Sequence, residues 1–275
     1  MPSIEQNLAA WDKDYDWELG GEPWSIAWGG SAAQWHGWIY PRLASFLPVQ
    51  SILEIAPGFG RWTSYLIDNC ESLTAVDVSA KCVEACRERF SENKKVRFEV
   101  NDGRSLPMVP DSSIDFAFSF DSLVHVESDV LSGYLRELTR VLRPGGIAFL
   151  HHSNYGAYQR SARALAPLQS SFDRLPSLVR AVLLRAGAYR ATHMRAVSVT
   201  AKGFAQMSET AGLRCVGQEL VNWEGGVLLL DCMSLVTRPD HRRQQRPVLV
   251  KNRLFRMEAR AIRRSRKAYD IERSG

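Results

Sequence analysis

The 275-residue chain has no run of about 18 consecutive apolar residues, so nothing in it would cross a bilayer as a helix. Its first residues, Met1-Pro-Ser-Ile-Glu-Gln-Asn7, lack the basic and apolar regions of a signal peptide. Cysteine is scarce: Cys70, Cys82, Cys86, Cys215 and Cys232 are odd in number and contain no Cys-x-x-Cys pair. That pattern argues against a disulfide framework or a thiolate zinc site and for reduced, buried thiols in a cytoplasmic setting. Acid is scarce at one end only. From Thr237 to Gly275 there are thirteen Lys or Arg against four Asp or Glu, a net of +9, which leaves about −4 on the rest of a chain whose total is +5. A pI near 9 therefore describes a tail and not a nucleic-acid-binding fold.

What is present is organised around Ser51-Ile-Leu-Glu-Ile-Ala-Pro-Gly-Phe-Gly-Arg-Trp-Thr63. Ile52, Leu53 and Ile55 read as a short buried strand, Pro57-Gly-x-Gly60 as a turn, and Trp62, Tyr65 and Leu66 as the start of a helix. Glycine lets backbone approach a ligand, and the free N–H groups of a first helical turn favour an anion.

The first fifty residues hold six of the eight tryptophans: Trp11, Trp17, Trp24, Trp28, Trp35 and Trp38. Gly20-Gly21 and Gly29-Gly30 predict irregular turns, followed by a helix from about Ser31 to Phe46. This segment, 1–49, reads as an aromatic cap that packs on the core or closes over a ligand. Strands are expected at Ser72–Asp77, Val96–Val100, Ser113–Ser119 and Ile147–His152. Helices are expected from Ser79 to Phe90 and from Ser128 to Leu142. The alternation predicts an α/β, doubly wound, mostly parallel sheet of seven strands. A helical insertion rich in arginine occupies about 154–200. A helix over Lys202–Ala211 then leads to two strands, 213–221 and 226–236, joined by a hairpin at Trp223-Glu-Gly-Gly226, which makes the last strand antiparallel. The main domain is thus 50–236, with a basic tail, 237–275, that forms an amphipathic helix serving as a solvated face, a homodimer contact, or a contact with a membrane surface or acidic partner.

Four loops fall at the carboxyl ends of parallel strands, where ligands bind in such sheets: 57–60, 77–78, 101–103 and 120–122. Asp77 lies 23 residues after Glu54, an interval that suits a carboxylate holding ribose hydroxyls. Asp102 suits an exocyclic amine. A dinucleotide fingerprint wants a third glycine where Thr63 stands, and has no use for Glu54.

With those residues in place, the chain resembles class I S-adenosylmethionine-dependent methyltransferases (donor abbreviated SAM). Leu53-Glu-Ile-Ala-Pro-Gly-Phe-Gly60 is similar to that family's first motif, with Ala56 where many members carry glycine. That substitution is expected to be tolerated if the residue keeps a negative φ. Leu142-Arg-Pro-Gly-Gly146 also resembles the family, and the likeness covers about 50–153. It implies SAM as cofactor, held by Glu54, Gly58, Gly60, Arg61, Asp77, Val78, Asp102, Gly103 and Phe120. Gly58 and Gly60 would contact the methionine part, Asp77 the ribose and Asp102 the adenine. The tryptophan-rich segment, Phe118-Ser-Phe-Asp-Ser-Leu-Val-His-Val-Glu127 and His151-His-Ser-Asn154 resemble sugar O-methyltransferases of polysaccharide pathways, one group of which methylates the 1-hydroxyl of mannose oligosaccharides.

A sugar hydroxyl is a poor nucleophile, so a base or a metal is expected. His125, His151, His152 and Asp121 are the catalytic candidates, and side-chain alternation lets only one of His151 and His152 face the cleft. Asp121 would orient a histidine or help bind Mg²⁺ through oxygen, although no spacing in the sequence marks a metal site. His36 and His193 fall outside these loops and read as structural or surface groups. The partner is a small-molecule or oligosaccharide acceptor and not nucleic acid, since the fourth-strand loop lacks the Asn/Asp-Pro-Pro-aromatic run. A lipid or other small-molecule acceptor, its phosphate or carboxylate read by the arginine-rich insertion, is the first alternative. A non-catalytic donor-binding protein of the same fold is the second.

Overall fold

A computed structural model of the chain describes residues 3–14, 17, 19–159, 176, 179, 195–223, 228–240 and 247–269. The expected hairpin residues 224–226, His193 and most of the arginine-rich insertion lie outside the described residues.

A single sheet runs β3-β2-β1-β4-β5-β7-β6-β8. Its strands are β1 (Val49–Ile55), β2 (Cys70–Asp77), β3 (Val96–Val100), β4 (Ile114–Ser119), β5 (Leu142–Ser153), β6 (Arg214–Val221), β7 (Asp231–Thr237) and β8 (Val248–Asn252). β1 to β5 are parallel neighbours, and β7 inserts antiparallel between β5 and β6. The doubly wound, mostly parallel architecture is as expected, but the strand count is corrected from seven to eight. β8, parallel to β6, comes from the segment read as tail. Its run Val248-Leu249-Val250 is strand-forming by composition, a signal the surrounding arginines obscured.

Both faces of the sheet are covered, so strand residues alternate between two cores. Phe116 and Phe118 of β4 join Ile52 and the tryptophans on one side, while Ala117, with Leu53 and Ile55, lies on the other. The tryptophan side is built by the N-terminal cap. It comprises α1 (Ile4–Ala9), a turn at Ala10–Asp14, a 3₁₀ segment Glu22–Trp28, α2 (Ser31–Gln34), a widened turn Trp35–Ile39 and α3 (Tyr40–Leu43). The single helix expected from Ser31 is thus interrupted. Pro41 has no N–H to offer Gly37, and the turn before it widens. Trp28, Trp35 and Trp38 are almost fully buried, and truncating one such residue to alanine costs about 3–5 kcal/mol. Most of the cap is therefore structural.

α4 (Thr63–Leu66) and α5 (Ala80–Arg89, capped by the Ser79 hydroxyl on the Cys82 N–H) follow β1 and β2. α6 (Ser128–Val141) and α7 (Ala201–Thr210) cover the second face. α8 (Phe255–Tyr269) returns to the cap and buries Phe255 and Ala259 beside Trp28 and Trp38. All five cysteines are buried and unpaired.

Candidate functional site

A cavity of about 1130 Å³, counted out to its open mouth, lies at the carboxyl ends of β1, β2 and β4. Its floor is Ala56-Pro57-Gly58, Asp77-Val78-Ser79 and Phe120-Asp121-Ser122, and α1 with Trp11, Trp17 and Trp24 forms its roof. Of the residues expected to hold the donor, Gly58, Arg61, Asp77, Val78, Gly103 and Phe120 line it, as do Asp121 and His125.

Asp77 is the carboxylate at the centre of the floor. One oxygen accepts the Gly58 N–H at 3.1 Å and the other the Ser79 N–H at 2.9 Å. Burial nevertheless outweighs these bonds and pushes its pKa up to about 6. A carboxylate so placed fits a ligand that brings hydroxyl donors or positive charge.

Three expected donor residues stand elsewhere. Gly60 has φ +78, and a Cβ there would come within 2.5 Å of the Phe90 ring, so its glycine serves the packing of α5. Asp102 accepts from the Arg104 and Ser105 N–H groups and from the Ser105 hydroxyl, closing its own turn, and leaves Gly103 to line the cavity. Glu54 is fully buried behind the glycine turn. The Thr63 hydroxyl donates to it at 2.6 Å, and burial pushes its pKa up to about 8.

Ala56 requires a correction. Its φ is +59, not negative, so the chain adopts the left-handed turn that glycine would favour, at a cost of about 1–2 kcal/mol. Asp121 shares this conformation at φ +65. Both lie on the cavity floor, where local strain is a mark of a functional turn.

The left-handed turn at Asp121 aims its N–H at His151 Nδ1, 3.1 Å away. This contact begins a buried series of ionisable groups. Arg61 donates to Asp121 at 2.6 Å and to the Ser25 hydroxyl at 3.0 Å. His151 Nε2 lies 3.6 Å from Asp231, which accepts from Arg195 at 2.8 Å. Because Nδ1 accepts an amide hydrogen, the neutral ring carries its proton on Nε2, facing Asp231. Burial works against an imidazolium, but the two carboxylates, 3.4 and 3.6 Å from the ring nitrogens, win and raise the His151 pKa. Arg61 and Arg195 in turn hold Asp121 and Asp231 below the ordinary carboxylate range in spite of burial.

Strand alternation sends the two neighbouring histidines to opposite faces of the sheet, but neither lines the cavity, where one of them is expected. His151 backs Asp121 but is itself fully buried, beneath Phe120 and Trp223. His152 faces the opposite side, where it stacks on Phe204 at 4.0 Å and meets the Ser234 hydroxyl at 2.8 Å. Burial lowers its pKa to about 3, so it is a neutral structural group. His125 lines the cavity with its ring 5.2 Å from Trp11, and its carbonyl accepts from Asn7. His36 is exposed against Tyr65. Among the described residues no group of three or more His, Cys, Asp or Glu could hold a metal ion.

Sequence reasoning missed Asp231 and Arg195, because nothing local links residues so far beyond the fourth strand to Asp121. It also left open which tryptophans pack and which roof the site. Trp17 stacks on Phe59 at 4.6 Å and rests on Gly58, where a Cβ would approach its ring to 2.7 Å. Asp12 accepts a hydrogen bond from the Ser79 hydroxyl, and the Lys81 ammonium donates to the Asp12 carbonyl. The described residues between Ile4 and Trp24 are thereby strapped across the strand ends.

Residues 52–146 match the family model described as a methyltransferase domain. Among curated proteins, the chain is 31% identical over 109 residues to a malonyl-[acyl-carrier protein] O-methyltransferase of Pectobacterium atrosepticum, covering 38% of this chain and 41% of that protein. It is 32% identical over 133 residues to a fatty-acid O-methyltransferase of Mycolicibacterium smegmatis, covering 45% of each. These matches span less than half the length of either relative. A solved SAM-dependent methyltransferase from Methanosarcina mazei shares the fold at a TM-score of 0.53 and 18% identity, over 72% of this chain and 97% of that one.

Proposed function

We propose that the chain is a SAM-dependent methyltransferase that transfers the methyl group to an acceptor oxygen, with a sugar hydroxyl as the acceptor. The observation that carries the donor reading is Asp77, a buried carboxylate beside the Gly58 turn on the floor of a cavity that also offers Val78 and Gly103. Asp77 supplies acceptors for hydroxyls, and Val78 an apolar contact for a base. SAM, when bound, supplies a methyl group already activated on a sulfonium.

The chain's own residues then have three tasks. Trp11, Trp17 and Trp24 exclude water and offer planes on which a sugar ring stacks. His125 on the wall is the group placed to take the acceptor's proton. Asp121 on the floor, held by Arg61 and backed by His151, keeps a negative charge at the site. A second reading, a lipid-like carboxyl or hydroxyl acceptor, is favoured by the apolar side chains Ile4, Leu8, Leu123, Val126 and Val130 on the same walls. The names of the two curated relatives above support it as well.

Calorimetry tests the donor. The chain is expected to bind SAM and its demethylated product, and Asp77→Ala to lose most of that affinity; a chain that binds neither refutes the proposal. Radiolabelled methyl transfer to a panel of sugars and fatty acids, with and without EDTA, separates the two acceptors and tests the use of Mg²⁺. His125→Ala is expected to lose turnover while donor affinity stays within a few fold.

A further inference from the structure

The segment 247–269 presents a surface that methyl transfer does not use. β8 is one of the two edge strands of the sheet; Val248 and Val250, 55% and 47% exposed, point to one of its faces and Leu249, 55% exposed, to the other. After the turn at Asn252, which accepts the Leu254 N–H, Leu254 and Met257 are 58% and 62% exposed. α8 turns Phe255, Ala259 and Ile262 to the tryptophan core, so Leu254, Met257 and Ala261 form a stripe on its outer side. Exposed Lys251, Arg253, Arg260, Arg264 and Lys267 border that stripe. Residues 247–269 contain eight Lys or Arg and one acid. That acid, Glu258, is engaged by Trp38, Arg42 and Asn252.

We propose that this surface docks the protein on an anionic lipid bilayer. The aliphatic tips enter the boundary between headgroups and acyl chains, and the surrounding cations face lipid phosphates. Charge complementarity and aliphatic exposure together select this partner. Nucleic acid would use the cations but gain little from the exposed apolar side chains beside them, Leu254 and Met257 above all. A second copy of the chain would oppose one strongly basic face to another. The surface is also joined to the roof of the cavity. Ile262 packs on Gly37, and Arg266 donates to the Gly29 carbonyl, in the same cap that carries Trp17 and Trp24. The inference does not depend on the methyl-transfer reading.

The test is sedimentation of the full chain with phosphatidylcholine vesicles, with or without phosphatidylglycerol, at physiological ionic strength. Binding is expected only to the vesicles that contain phosphatidylglycerol. Leu254→Ser with Met257→Ser is expected to weaken it roughly tenfold, and Arg260→Gln with Arg264→Gln roughly fivefold for each cation removed. All four positions are exposed, so circular dichroism and SAM affinity should be unchanged. Absence of binding to the anionic vesicles overturns the proposal. So does binding insensitive to the Leu254 and Met257 changes, or tighter binding to duplex DNA at the same salt. SAM calorimetry on the same samples separates the two readings: a chain that binds SAM but no vesicles refutes only the docking surface, and the converse result refutes only the donor site.

Discussion

Glu54 is a carboxyl group sealed behind the glycine turn, with the Thr63 hydroxyl as its hydrogen-bond donor. Its pKa stands at about 8 in the folded chain against 4.5 for the free group. The folded state therefore keeps a proton that the unfolded chain releases between those values, and stability falls as pH rises through that window. Each unit of difference is worth about 1.4 kcal/mol. Near neutral pH the group is fully ionised only in the unfolded chain, which amounts to a loss of about 3 kcal/mol relative to pH 4.5. Glu54→Gln keeps the shape and the acceptor for Thr63 but has nothing to ionise. The variant should match the parent at pH 5 within about 1 kcal/mol and exceed it at pH 8 by roughly 3 kcal/mol or more. For a chain of this length that is a melting-temperature gain of about 8 °C at pH 8. Thermal or urea unfolding of both proteins at the two pH values reads this directly. Parallel stability profiles would refute the reasoning, because they would mean that Glu54 ionises in place at no cost.

Two further outcomes follow from the floor of the cavity and from the buried charges behind it. Ala56→Gly relieves the positive φ at the end of β1 and should stabilise by about 0.5–1 kcal/mol, the strain released less the added freedom of the unfolded chain; a lower urea midpoint would contradict it. Asp231→Asn leaves Arg195 buried without its charged partner and should cost about 3 kcal/mol. It also removes one of the two carboxylates that raise the His151 pKa, so the His151 proton signal in NMR titration should move to lower pH.

Much of the cavity floor was legible in the sequence because its signals are local. A strand, a glycine turn and a helix follow one another within Ser51–Thr63, and Asp77 stands at the end of the next strand. Ser79 caps α5 as its position predicts. The failures were of three physical kinds. Backbone conformation is invisible in residue identity, so Ala56 was assigned the φ that suits alanine and not the one the turn imposes. Long-range contact is equally hidden. Asp231 joins His151 only because β7 inserts antiparallel beside β5, with His151 opposite Met233 in register. β8 was lost for a third reason, since three aliphatic residues among arginines read as a solvated tail until β6 supplies hydrogen-bonding partners.

The two carboxylates on the floor divide the site electrostatically. Asp77 is held by the Gly58 and Ser79 N–H groups, and burial still raises its pKa, so its hydrogen-bond partners among the described residues are amide dipoles and not cations. Asp121 has Arg61 at 2.6 Å and His151 behind it, and its pKa is lowered. A cationic ligand therefore gains more from Asp77, where charge is unpaid for, than from Asp121, where Arg61 already neutralises it. Asp77 also becomes a better partner as pH rises through about 6. Donor affinity should accordingly increase between pH 5 and pH 7 in the parent and lose most of that increase in Asp77→Asn. Asp121→Asn should retain it, because a carboxyl held below its ordinary range is already ionised throughout that window. If the Asp121 variant flattened the profile and the Asp77 variant did not, the carboxylate whose ionisation the donor senses would be Asp121 and not Asp77.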